Sequence, residues 1–153
     1  MIVVSDTSPL TALLTVGQAG ILPRLFTEVI IPKAVETELL RTHPPLPDWL
    51  QVRLLSDPAK AELYAGSVDR GEAEAIALAE ALHADHLLID ERKGRRLAQR
   101  RGVPVVVLLG VVLMARRAGF IPSARNLLNR LDQEAGVYWT DALKEAALKT
   151  IGE

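Results

Sequence analysis

Cysteine is absent from the 153 residues. That excludes disulfides, thiolate metal sites and a cysteine nucleophile, and it suits a reducing cytoplasm, where the chain is expected to work. Aromatic residues make up only 4% of the sequence, so any core must be aliphatic. The three histidines, His43, His83 and His86, lack metal-ligand spacing and are read as surface residues. Long hydrophobic runs are missing too. The longest apolar stretch, Val103 to Ala115, is broken by Pro104 and Gly110 and is too short to span a bilayer. The N-terminal apolar stretch has no basic flank and is interrupted by Ser5, Asp6 and Pro9, so it is not read as a signal peptide. A soluble protein without a membrane partner is expected. Neither charge dominates: 18 Lys and Arg face 19 Asp and Glu, which leaves no global nucleic-acid signature. No GxGxxG, GxxxxGK[ST] or GxSxG pattern occurs, which argues against nucleotide-cofactor and serine-hydrolase chemistry.

What is present is aliphatic. Hydrophobic residues reach 49% and mean hydropathy is +0.18, enough for one domain over residues 1–153 with buried strands. Ile2-Val3-Val4 reads as a first strand ending at Ser5-Asp6, and Ser8-Pro9 as an N-cap with proline at the first helical position. A short helix follows to about Gly17, with another over Ile21 to Phe26. Val29-Ile30-Ile31 is a second strand, followed by a helix from Lys33 to Arg41. A short strand is expected within Trp49–Leu55 and a helix from Asp57-Pro58 to Tyr64. Asp69-Arg70-Gly71-Glu72 has capping-box spacing and opens a helix to about His83. His86–Ile89 reads as a strand ending at Asp90, then come a basic helix from Lys93 to Arg101, a strand over Val105–Leu109 and a helix from Gly110 to Ala118. Two further helices follow Pro122 and Thr140. Alternating strands and helices predict a parallel sheet.

In such sheets ligands bind beyond the carboxyl ends of the strands. Asp6 and Asp90 both occupy that position. Taking about 100° per residue, Glu74 falls inside the apolar face of its helix, among Ala77, Leu78 and Ala81. A carboxylate there is costly unless it is paired or binds a cation. Glu72 falls on the opposite side and has a structural role in the capping box. Glu38 and Glu36 both lie on the helix after the second strand, and geometry alone does not choose between them. Carboxylates sharing a crevice repel, and a hard divalent ion such as Mg²⁺ or Mn²⁺ would relieve that repulsion. The reaction this suits is phosphodiester hydrolysis. Arg92, Lys93, Arg95 and Arg96 come just after Asp90 and would guide a phosphate backbone to the metal.

These residues resemble the motifs of a known family. Ser5-Asp6-Thr7-Ser8-Pro9-Leu10 resembles the opening of PIN domains. Pro32 to Leu39 resembles their second motif, with the acid at Glu38. Gly71 to Ala79 resembles the third, with the acid at Glu74, and Leu87 to Glu91 the fourth, with the acid at Asp90. The third acid is more often Asp in the family, and the fourth motif usually carries Thr where Ile89 stands, which leaves Asp90, Glu91 or both as the fourth acid. The resemblance implies a three-layer α/β/α fold with a central, mainly parallel sheet. It also implies an endoribonuclease whose catalytic set is Asp6, Glu38, Glu74 and Asp90, with Mg²⁺ or Mn²⁺ held by Asp6, Glu74 and Asp90. Ser8, Glu72 and Glu91 are expected around that site. Similarity to a VapC-like branch further implies a small antitoxin partner and a homodimer. A PIN-type nuclease in RNA processing and a non-catalytic α/β module are the alternatives. A receiver-like module fits poorly, because Asp6 is followed by Thr7-Ser8 and no Lys falls between Lys93 and Lys144.

Overall fold

In the computed structural model, which describes residues 1–153, five parallel strands form one sheet. They are β1 (Ile2–Ser5), β2 (Glu28–Ile31), β3 (Leu50–Val52), β4 (His86–Leu88) and β5 (Val105–Val106), in the order β3-β2-β1-β4-β5. β1 is therefore central, and Ser5 stands opposite Leu88 of β4. Nine helices cover the sheet: α1 (Thr7–Thr15), α2 (Ile21–Leu25), α3 (Lys33–Thr42), α4 (Pro58–Tyr64), α5 (Arg70–Leu82), α6 (Arg92–Arg100), α7 (Leu108–Arg117), α8 (Ala124–Ala135) and α9 (Asp141–Lys149).

Side-chain alternation along the strands builds the three layers. Val3, Val29, Ile31 and Leu88 join one apolar cluster with α1, α2, α3, α7, α8 and α9. Val4, Ile30, Leu87 and Ile89 join a second with α4, α5 and α6. Both faces are buried, which explains why the strands read as continuous apolar runs. The architecture is the expected α/β/α fold. The apolar stretch of α7 is largely core: Val111, Val112 and Ala115 are buried. No helix is long and apolar enough to cross a membrane.

Three boundaries differ from the sequence reading in ways that matter for the site. α1 starts at Thr7, directly after β1, with Asp6 at the N-cap position but without a side-chain cap bond. Ser8 and Pro9 lie inside the first turn, where proline's missing N–H costs nothing. β5 is only two residues long and α7 begins at Leu108 instead of Gly110. The reason is a donor: the Leu108 N–H, an orphan at a helix start, is accepted by Asp90 Oδ1 at 2.8 Å. β4 ends at Leu88, although Ile89 N–H still bonds the Val106 carbonyl at 3.1 Å. His86 is half-buried against Phe26, ring centres 6.0 Å apart, and its buried Nδ1 has no partner. It is thus not the surface residue expected. Its position at the start of β4 places it beside the core.

Candidate active site

A cleft of about 970 Å³ opens at the carboxyl ends of β1 and β4. Its lining includes Asp6, Glu38, Asp69, Glu72, Asp90 and Glu91. Each acid reaches it from a different local device.

Asp6 follows the last residue of β1, and its backbone N–H donates to the Leu88 carbonyl at 2.9 Å. That bond ties the strand end to β4. The residue is only 6% exposed. Burial pushes its carboxyl up to about 7, helped by the charges of Asp69, Glu38 and Asp90 and opposed by the Thr7 N–H. Asp90 follows β4. Burial raises its pKa too, while the Leu108 N–H and the positive charge of Arg95 oppose the rise.

Glu38 lies on the second turn of α3 and lines the cleft. Glu36 turns away and pairs with Lys33 at 2.7 Å. The approach of Glu38 depends on Gly71: a Cβ there would stand 2.7 Å from Glu38 Oε1 and 3.5 Å from Asp6 Oδ1. No side chain larger than hydrogen fits without displacing a carboxylate.

Glu72 performs the capping expected of it. Asp69 Oδ1 accepts the Glu72 N–H at 2.8 Å, and Glu72 Oε1 accepts the Asp69 N–H at 3.2 Å. A carboxylate has two oxygens, however, and Glu72 Oε2 is buried without any partner. The side chain is 4% exposed. Burial first, then the hydrogen bond and charge of Asp69, push its pKa up to about 8. Gly94 of α6 makes room for it, since a Cβ at that position would lie 2.7 Å from Glu72 Oε2. Asp69, Gly71 and Gly94 were not singled out as site residues from sequence. The Asp69-Arg70-Gly71-Glu72 run, with its capping-box spacing, was the available signal for the first two.

Glu74 is not brought into this cleft. Its Oε1 accepts the Ala34 N–H at the start of α3, at 3.0 Å, and its Oε2 pairs with Arg70 at 3.3 Å. Gly71, Glu72, Ala73, Ala75, Ile76, Ala77, Leu78 and Ala79 of α5 are all buried, whereas Arg70 is exposed and Glu74 is half-buried beside it. With so much of the helix buried, an apolar neighbourhood does not indicate the cleft. Glu74 faces α3, where an orphan helix N–H satisfies it.

Of the other expected residues, Ser8 and Glu91 line the cleft and are exposed. Thr7 lines it too, and its buried Oγ1 has no partner. Among the basic residues only Lys93 reaches the cleft wall. Arg95 turns back, its Nε donating to the Asp90 carbonyl at 3.2 Å. Arg92 and Arg96 are exposed outside the lining.

The donor set fits a hard divalent cation. It is all oxygen, contains no histidine, and includes an orphaned carboxylate oxygen of Glu72 and an unpartnered hydroxyl of Thr7. Two glycines keep space against those oxygens. No three of these acids lie close enough together to share an ion.

A family model for the PIN domain, DUF3368, matches residues 2–153. Neither the curated proteins nor the solved structures include a significant match. The match covers the sheet, every acid of the cleft and all nine helices. With this topology and this acidic strand-end cleft, the chain belongs to the PIN-domain family, whose fold is that of generally metal-dependent nucleases.

Proposed function

We propose that the protein is an endoribonuclease that works with Mg²⁺ or Mn²⁺, with Asp6, Glu38, Glu72 and Asp90 as its acidic set. The observation that carries this reading is the buried, unpartnered Oε2 of Glu72 in one cleft with Asp6, Glu38 and Asp90. An unpaired buried carboxylate oxygen is costly, and a cation offsets that cost. Glu72 thus takes the place that the sequence comparison had given to Glu74. Asp69 stands beside it as a positioning residue, holding the Glu72 N–H.

When bound, the ion supplies Lewis-acid polarisation of a phosphodiester and neutralises charge that develops on the leaving oxygen. The chain supplies the rest. Asp90 lines the cleft with one oxygen fixed by the Leu108 N–H. Asp6 is held by the β1–β4 pairing. Lys93 stands at the wall with its charge free for a phosphate. Glu91 and Ser8, both exposed, extend the polar rim.

The likeness to VapC-like toxins extends the reading to the toxin of a type II pair, acting in the cytoplasm as a homodimer held in check by a small antitoxin. The deciding test is cleavage of a mixed RNA pool with Mg²⁺, with Mn²⁺ and with EDTA. Metal-dependent cleavage that disappears in Asp6→Asn and Glu72→Gln, and survives in Glu74→Gln, supports the proposal. Cleavage that survives Glu72→Gln and disappears in Glu74→Gln would return the site to the sequence-based assignment. No cleavage with any metal would count against nuclease activity.

A further inference from the structure

Helix α8 begins with orphan N–H groups, as every helix does, and one distant side chain satisfies two of them. Glu153 Oε2 accepts the Ala124 N–H at 2.7 Å, and Glu153 Oε1 accepts the Arg125 N–H at 3.2 Å. The same carboxylate accepts the Ser123 hydroxyl at 2.9 Å and the Nε–H of Arg116, on α7, at 3.1 Å. The Arg125 guanidinium completes the grip by donating to the Glu153 carbonyl at 2.9 Å. Gly152 aims the residue at these donors. It sits in the left-handed region at φ 78°, and the Glu153 N–H turns back to the Leu148 carbonyl at 2.9 Å.

The grip matters because little else holds α9. Leu148 is its only fully buried residue, with Ala147 and Ile151 half-buried against the core. Helix α8, by contrast, buries Ala124, Leu127, Leu128 and Leu131. The other polar ties of α9 to α8 are Glu145 with Arg125 at 2.5 Å and Lys144 with Asn129 at 3.1 Å, and pairs near the surface contribute little. A helix of nine residues is marginal by itself in water. Helix α9 therefore depends on docking, and docking depends on Glu153.

The opposite end of this segment meets the acid cleft. The chain leaves α8 at Gly136, φ 70°, and Ala135, Gly136 and Val137 line the cleft. The Val137 N–H is held by the Leu131 carbonyl at 3.1 Å. From there the chain returns to the start of α8, about 18 Å away along a helix of 12 residues. Residues 137–153 thus form a strap along α8, hinged at the cleft wall and fastened at the far end.

We infer that this strap opens as a unit while the sheet stays folded, and that the Glu153 grip keeps the α8-side wall of the acid cleft closed. In the open state α9 is undocked and Val137 leaves the wall, so the cleft is wider on that side. Glu153 is a positioning residue here: the groups it holds, on Arg116, Ser123, Ala124 and Arg125, lie outside the cleft lining. The opening itself stands without the nuclease reading above; its consequence for turnover rests on that reading.

The test is hydrogen exchange, read by mass spectrometry, on the full chain as wild type, Glu153→Ala and Gly152→Ala. In the wild type, residues 138–149 should exchange faster than β1 and β4, as a sub-global opening requires. Glu153→Ala should speed exchange of that segment and of the Val137 amide about tenfold, the scale of a lost charged hydrogen bond, and leave β1 and β4 unchanged. Gly152→Ala keeps the carboxylate and all its donors. Its new Cβ meets no atom within 4 Å, so it strains only the backbone at positive φ. It should produce the same pattern, which separates release of the strap from loss of the α8 cap. Acceleration that includes β1 and β4 equally, or no change in residues 138–149, overturns the strap. In RNA cleavage, both variants should raise KM severalfold and keep kcat and the metal requirement, because this wall holds no acid of the site. If the wild type cleaves and KM stays put in variants whose strap exchanges faster, the role of the strap at the cleft is overturned. If the wild type cleaves nothing with any metal, the nuclease reading fails, and the exchange pattern alone decides the strap.

Discussion

The strongest test of the acidic cleft uses the metal-free protein and pH. Asp6 titrates near 7 in the fold and Glu72 near 8, both far above an unfolded carboxyl at about 4. Both groups therefore bind protons more tightly when folded. Their contribution is fully present below pH 4 and is lost as pH rises through about 7 and 8. A carboxyl moved from about 4 to about 7 corresponds to about 4 kcal/mol at most. The two acids repel each other, so their effects overlap, and water entering the open cleft lowers the total. A loss of about 2 to 4 kcal/mol between pH 6 and pH 9 is the working figure. For a chain of this length that is a fall in Tm of about 5 to 15 °C. Neutral His86 has the opposite sign, since burial lowers its pKa, but its effect is complete near pH 7. Tyr64, pushed up to about 12, begins to titrate only above the window.

The assay is thermal unfolding in EDTA across pH 6 to 9, for the wild type and for Asp6→Asn. The wild type should lose stability as pH rises. Asp6→Asn should lose less, because it removes one of the two buried charges, and it should be the more stable protein at pH 9. Adding Mg²⁺ or Mn²⁺ at pH 9 should restore the wild type, through the linkage of binding to folding, and leave Asp6→Asn nearly unchanged. A wild-type Tm that is flat or rises from pH 7 to 9 in EDTA would refute the buried-carboxylate account.

Further outcomes follow from single contacts. Glu74→Gln should keep full cleavage and cost less than about 1 kcal/mol by chemical denaturation, because the amide oxygen can still accept the Ala34 N–H and the exposed pair with Arg70 contributes little; a dead enzyme would contradict its placement. Gly94→Ala introduces a Cβ 2.5 Å from Ile89 Cδ1 and 2.7 Å from Glu72 Oε2. Overpacking of about 1 to 3 kcal/mol is partly offset by about 1 kcal/mol of helix propensity, so the clearer readout is weaker metal binding by titration calorimetry. Lys93→Ala should weaken RNA binding and reduce its salt dependence by about one ion, whereas Arg100→Ala, away from the cleft, should affect the slope less; equal slopes would mean that α6 acts as a diffuse charge.

Much of the fold was legible because its signals are local. β-branched runs bounded by Asp or Pro marked the strands, and Asp69, Ser123 and Thr140 each cap a helix with their own side chain. The placement of Asp6 and Asp90 in the cleft was legible because a strand end in a parallel sheet is itself a position in space. Boundaries failed where a distant partner set them. α7 starts two residues early because Asp90, 18 residues away, satisfies Leu108, and no local pattern near Gly110 records that bond.

Glu72 and Glu74 show the same limit within the site itself. A helical wheel reports which side of a helix is apolar, and near the start of α5 burial extends over all but the Arg70–Glu74 side. What separates the two acids is the identity of the groups they meet: an orphan N–H of α3 for Glu74, and Asp6, Asp69 and a space left by Gly94 for Glu72. A capping box is ordinarily a sufficient explanation for its glutamate. It satisfies only one oxygen, and that leaves the second to be accounted for. In a solvated cap, water would occupy it. Here the side chain is buried, so the remaining oxygen needs a proton or a cation. Gly71 and Gly94 sharpen the point, because both bring backbone against carboxylate oxygens where alanine would have given a better helix. A helix that keeps glycine in those contacts favours room around its acids over its own stability, as a metal-binding cleft requires.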